Sequence, residues 1–191
     1  MSEGKETRDY PMDLYVLQPG KGEGDANQSA IGRTWNGGQT WTVIYDIVDL
    51  VRHVKAKCGD TFYIGTLRIG GHGNTDRFRL GDTLISNAPL NDNGTLITSV
   101  FINDLKPWLK EIIPYFKPGY SYVVLDTCLV GQNDALLQNL SDAFGGTPVI
   151  AGFDGQITNE GDGMPPLIEG KARACYPDRC FTLENPSELM F

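Results

Sequence analysis

The chain has 191 residues, 40% of them apolar and 21% charged, with a formal net charge of −8. That is the composition of an ordinary folded domain, long enough to bury one sizeable core over residues 1–191. The acidic balance without any lysine- or arginine-rich run argues against a nucleic-acid partner, and no apolar run approaches the roughly 18 residues of a membrane-spanning helix.

Residues 1–12 read as a polar lead without the apolar stretch of a signal peptide. Residues 13–18 form a first strand, closed by Pro19 and Gly20. The stretch 19–39 is rich in Gly, Asn, Ser and Gln, a long loop of the kind that serves as a flap beside a site. Residues 41–57 place Val43, Ile44, Ile47, Val48, Val51 and Val54 at helical spacing and predict an amphipathic helix ending near Cys58 and Gly59, with His53 at its boundary. A strand then runs into Gly70-Gly71-His72-Gly73, followed over 76–85 by a short hairpin with a Gly-Asp turn.

Helical periodicity returns over 101–116 through Leu105, Trp108, Leu109, Ile112 and Ile113, and Pro114 and Pro118 stop it. The run Val123-Val124-Leu125-Asp126-Thr127-Cys128 reads as a buried strand that delivers a cysteine to its carboxyl end. Residues 133–144 form another helix, closed by Gly145-Gly146, and residues 148–152 another strand. The alternation predicts an α/β fold, a mostly parallel sheet with helices on both faces. Residues 155–191 read as a loop-rich or hairpin tail. Within it Cys175 and Cys180 either close a small loop or, as expected without a secretory signal, stay free thiols; two cysteines without partner ligands in the sequence argue only weakly for a metal. A cytoplasmic location is expected.

Two strand ends carry the chemistry. A thiol attacks as thiolate, and an imidazole in hydrogen-bond reach takes its proton and returns it to the leaving amine. Cys128 and His72 fit those parts, at the rim where parallel sheets keep their sites. The glycines around His72 allow a backbone amide to approach a substrate carbonyl, so Gly73 and Cys128 are the expected oxyanion donors.

The strands ending in Ile69-Gly70-Gly71-His72-Gly73 and Leu125-Asp126-Thr127-Cys128-Leu129-Val130-Gly131 resemble those of the caspase-like cysteine peptidases, which include caspases, metacaspases, gingipains and clostripain. The separation fits as well, Cys128 lying 56 positions after His72 against about 50 in caspases. The resemblance implies a caspase-like three-layer sandwich and a cysteine endopeptidase acting on a peptide or protein substrate without metal or organic cofactor. Asp126, two before the cysteine, is similar to the metacaspase aspartate that helps bind a P1 arginine or lysine, which implies cleavage after basic residues. Leu129-Val130 stands where metacaspases have His-Ser, and the caspase Gln-Ala-Cys is absent.

Asp126 has two other readings, a helix cap or the partner of a nearby cation. Asp154 lies in the loop after the last strand, where the family builds part of its substrate pocket; with Glu160 and Asp162 it also reads as a solvated acidic loop. Lys171 and Arg173, taken as part of a flexible tail, are candidate self-cleavage points. The alternative function is a catalytically silent caspase-fold module that binds a protein on the same rim.

Overall fold

The structure, a computed structural model, describes residues 8–18, 42–81, 83–86, 99–127, 129–152, 157–158, 167–168 and 171–184. The first strand, β1 (Tyr10–Leu17), buries its last four residues and is followed by the short β2 (Thr42–Val43). Helix α1 (Ile47–Cys58) starts later than the apolar pattern suggests because Asp46 caps it, its side chain accepting from the Asp49 amide at 2.9 Å. It buries Ile47, Leu50, Val51, Val54 and Cys58 at three-to-four spacing, each side chain contributing on the order of 2 kcal/mol. Gly59 ends it at φ 51°.

Strand β3 (Phe62–Gly70) leads to a small antiparallel unit, β4 (Gly73–Asn74), β5 (Arg77–Leu80) and β6 (Thr83–Ser86), with β7 (Ser99–Phe101) parallel to β6. The expected hairpin is therefore present, turning at Gly81 with φ 63°. Helix α2 (Ile102–Leu109) is shorter than its pattern. Pro107 lies inside it, and beyond Leu109 the amides of Glu111 and Ile112 bond three residues back, tightening the chain into a 3-10 turn over Ile113–Tyr115. Trp108, assigned to the apolar stripe from sequence, is 43% exposed.

Then come β8 (Tyr122–Asp126), α3 (Asp134–Ala143), β9 (Val149–Gly152), the small pair β10 (Ile157–Thr158) and β11 (Leu167–Ile168), and finally β12 (Ala172–Cys175) and β13 (Cys180–Leu183). The central sheet has seven strands in the order β13-β12-β9-β8-β3-β1-β2. From β2 to β9 every pairing is parallel; β12 and β13 add antiparallel. The α/β reading and the mostly parallel sheet are thus observed.

The three helices α1, α2 and α3 pack in series on one face, over a core that takes Val16, Leu67, Ile69, Val123, Leu125, Val149 and Ala151 from the strands. Strand alternation turns the intervening residues to the other face, where Val124, Ile150, Ala172 and Ala174 form a smaller cluster. Helices are expected on both faces from the sequence, but among the described residues that second face carries none. No described helix is long and apolar enough to cross a membrane.

Two expectations for the tail change. The hairpin is there, but it extends the central sheet, with Ala174 opposite Ile150. Arg173 therefore sits inside a strand and Lys171 just before it, paired with Glu184. Cys175 and Cys180 face each other in register and form a disulfide instead of staying free. Sequence spacing alone does not reveal that the intervening residues turn tightly enough to bring the two sulfurs together.

Burial also sets how the fold responds to alkali. It pushes the Cys58 thiol up from 9.0 to about 11, and burial followed by the charge of Asp13 pushes the Tyr15 phenol up from 10.0 to about 12. Both groups are neutral when protonated, so the unfolded chain loses these protons first and gains stability relative to the fold. The free energy of urea unfolding is expected to fall as pH rises from about 9 to about 12. A flat profile in that window would contradict the burial of these two groups.

Candidate active site

The strand order 2-1-3 at one side of the sheet means that the chain leaves β1 in one direction and returns to β3 on the other side. Ligands of such sheets bind in the crevice beyond the carboxyl ends of strands at this reversal. At that crevice stand Gln18, directly after β1, and Gly71-His72, directly after β3. The Gln18 amide donates to the Gly70 carbonyl at 3.1 Å, and its side-chain Oε1 accepts from the His72 amide at 2.9 Å. The His72 carbonyl in turn accepts from the Arg79 amide at 2.9 Å. The histidine backbone is thereby clamped between β1 and β5 while its side chain is exposed. Gly71 is required here, because a Cβ would meet the Arg79 carbonyl at 2.9 Å and the Gln18 Oε1 at 3.0 Å.

Gly73 opposes Phe78 in an antiparallel pair. Since the Arg79 amide bonds to the His72 carbonyl, the ladder's hydrogen bonds run through the residues flanking that pair. The Gly73 N–H is not used by the ladder, as an oxyanion donor requires. His72 and Gly73 line a cavity of about 240 Å³ together with Asn74, Arg77, Arg79 and Leu84.

The neighbouring strand is β8. Gly70 is in register with Asp126, and the Gly71 amide donates to the Asp126 carbonyl at 3.3 Å. Along the chain, His72 follows Gly70 by two residues and Cys128 follows Asp126 by two, past the ends of β3 and β8. Cys128 and Asp154 themselves lie outside the described residues, as does the loop 19–39.

What flanks position 128 is unusual on both sides. Thr127 is 1% exposed and its hydroxyl has no hydrogen-bond partner, an arrangement that costs about 1–3 kcal/mol. Leu129 has φ 60°, the sole positive value at a non-glycine residue among the described residues and one that costs about 1–2 kcal/mol. Departures of this kind concentrate at functional positions, where the surrounding fold holds them in place. The next residues form a 3-10 turn over Val130–Gln132. Gly131 lies so close to β9 that a Cβ would meet the Gly152 carbonyl oxygen at 2.3 Å.

Asp126 is the partner of a cation. Its carboxylate is 2% exposed and takes two hydrogen bonds from Arg68, itself 5% exposed: Nε to Oδ2 at 2.8 Å and Nη2 to Oδ1 at 2.6 Å. Burial opposes the guanidinium charge, but the attraction and hydrogen bonds of Asp126 outweigh it and hold the Arg68 pKa above its ordinary value. Of the three readings of Asp126, the ion pair is the one observed.

Sequence reasoning did not find Gln18, Arg68, Arg77, Arg79 or Asn133. Asn133 has the clearest sequence signal, a capping residue at a helix start. Its Oδ1 accepts from the Leu136 amide at 3.0 Å, and its Nδ2 donates to the Thr75 carbonyl at 2.9 Å. It thus ties the turn after β8 to the turn after His72. Asn133→Ala is expected to lose about 1 kcal/mol of stability from the cap. Urea melts of the two proteins measure it. Comparison with protein-family models, with curated proteins and with solved structures finds no match for this chain.

Proposed function

We propose that the chain is a caspase-like cysteine endopeptidase in which Cys128 is the nucleophile and His72 the general base and acid. The observation that supports the reading is the Gly70–Asp126 register, which ends two adjacent parallel strands level with each other, each two residues before His72 and Cys128 in the sequence. The orphaned Thr127 hydroxyl and the left-handed Leu129 around position 128 support it.

In this mechanism His72 accepts the Cys128 thiol proton and the sulfur attacks the scissile carbonyl. The oxyanion lies between the amides of Gly73 and Cys128, a stabilisation commonly worth about 3 kcal/mol per donor. The imidazolium then protonates the leaving amine as the C–N bond breaks. Water, activated by His72, hydrolyses the thioester and releases the new carboxyl terminus.

Preference for arginine or lysine at P1 drew on Asp126 and Asp154. The Asp126 carboxylate is taken up by Arg68, so a basic P1 side chain would look to Asp154 and the acidic loop. A second reading, an acidic P1 residue, draws on Arg77 and Arg79, which line the cavity beside His72. Acyloxymethyl-ketone probes carrying P1 arginine or P1 aspartate, read by intact mass, test both. Labelling of Cys128 that is lost in His72→Ala supports the dyad, and the probe that labels identifies the P1 charge. Labelling by neither would turn the assignment to the silent, protein-binding module.

A further inference from the structure

The last hairpin holds a constellation that the proposed peptidase chemistry does not use. Cys175 ends β12 and Cys180 begins β13, directly opposite each other. Asp134, the first residue of α3, approaches both: one carboxylate oxygen and the two sulfurs lie within 4.8 Å of one another. Arg173, two residues before Cys175 and so on the same strand face, holds that carboxylate from the side. Its Nε donates to Oδ1 at 2.9 Å, its Nη2 donates to Oδ2, and its Nη1 donates to the Thr182 hydroxyl at 2.8 Å.

We propose that, once the disulfide is reduced, Cys175, Cys180 and Asp134 form a site for a thiophilic divalent cation, zinc foremost, with Arg173 as the outer residue that orients the carboxylate. Two thiolates and a carboxylate are a ligand set that zinc favours over magnesium or calcium. The charges balance: two thiolates, one carboxylate and one guanidinium leave −2, which a divalent ion cancels. Each Asp134 oxygen keeps a second lone pair, so a metal bond does not require Arg173 to leave, and such outer hydrogen bonds are a regular feature of metal-bound carboxylates. Two sulfurs on one tetrahedral zinc stand about 3.7 Å apart, given bonds of about 2.3 Å, so the bonded pair has to separate on reduction, with the Asp134 carboxylate already within 4.8 Å of both sulfurs. Cys175 is fully buried while Asp134 and Cys180 are half-buried, leaving a solvent side for a fourth ligand.

The chemistry is a two-electron reduction followed by ligand exchange. A dithiol reductant, of the thioredoxin class, gives two electrons and two protons to the Cys175–Cys180 bond and leaves as its own disulfide. Zinc then displaces one proton from each thiol. In a reducing compartment the dithiol is the resident form, and the metal takes over from the disulfide in holding β13, which among the described residues pairs with β12 alone, against the sheet.

The test uses the full chain carrying Cys128→Ala, so that this thiol does not compete; the Cys58 thiol, buried and pushed up to about 11, stays protonated at neutral pH. Oxidised and reduced preparations are titrated with Zn²⁺ against a chromophoric chelator, and with Cd²⁺ followed by thiolate-to-metal charge transfer in the ultraviolet. The expected result is one equivalent bound with the charge-transfer band in the reduced protein and none in the oxidised protein. Asp134→Asn is expected to weaken binding roughly tenfold or more, and Arg173→Gln to have a similar effect. Equal binding by the oxidised and reduced forms would overturn the proposal without any hairpin variant having to fold. Unchanged affinity in Asp134→Asn would overturn the third ligand.

Discussion

Asp126→Asn is expected to destabilise the fold by about 3–5 kcal/mol, because it removes the charge that is hydrogen-bonded twice to the buried Arg68 guanidinium. For a chain of this length that is a fall in melting temperature of roughly 10 °C or more. The magnitude follows from burial on both sides of the pair, 5% and 2% exposed, and from its two-bond geometry. Arg68→Met is expected to cost a similar amount by stranding the carboxylate. Combining Arg68→Met with Asp126→Leu is expected to recover most of the loss, since apolar side chains of similar volume replace a buried ion pair with little penalty. Thermal and urea melts of the three variants compare the broken pair with the replaced one. The same variants address function. If the pair is structural, Asp126→Asn lowers the folded fraction and leaves KM for basic and acidic P1 substrates in unchanged ratio. A selective rise in KM for basic substrates would return Asp126 to the substrate pocket.

Under the proposed peptidase mechanism, His72→Ala is expected to lower kcat/KM by about 10³-fold, within the range for loss of a general base and acid. Cys128→Ala is expected to leave no measurable peptidase activity. Residues that act as one unit are not additive, so His72→Ala combined with Cys128→Ala should be no worse than Cys128→Ala alone. Gln18→Ala is the informative contrast. It removes the acceptor for the His72 amide but keeps the imidazole, so its effect is expected to be nearer tenfold and to appear in kcat more than in KM. A Gln18→Ala loss as large as that of His72→Ala would mean that collapse of the crevice, rather than lost acid-base chemistry, explains both.

The stretch around position 128 shows why such contrasts matter. The unpaired Thr127 hydroxyl and the positive φ of Leu129 are costs that the rest of the fold sustains. Neither is readable from the letters Thr-Cys-Leu, which are compatible with a plain strand end.

What the sequence determined by itself was the set of local elements. The apolar runs of β3, β8 and β9, the three-to-four spacing in α1 and α3, and the glycine-flanked His72 all depend on residues within one or two turns of each other. The preference of such segments is carried by side-chain periodicity. The alternation of strand and helix was enough to read an α/β class with a mostly parallel sheet.

The tertiary structure alone decided which distant groups meet. Arg68 reaches Asp126 across 58 residues, Gln18 reaches His72 across 54, and Asn133 reaches Thr75 across 58. The joining of the tail hairpin to β9, the Cys175–Cys180 bond and the approach of Asp134 to both sulfurs belong to the same class. Each depends on sheet register, and a shift of one residue would turn every side chain of a strand to the opposite face. That register is set by how the helices and strands fill one core together, a property of the whole chain that no local stretch encodes.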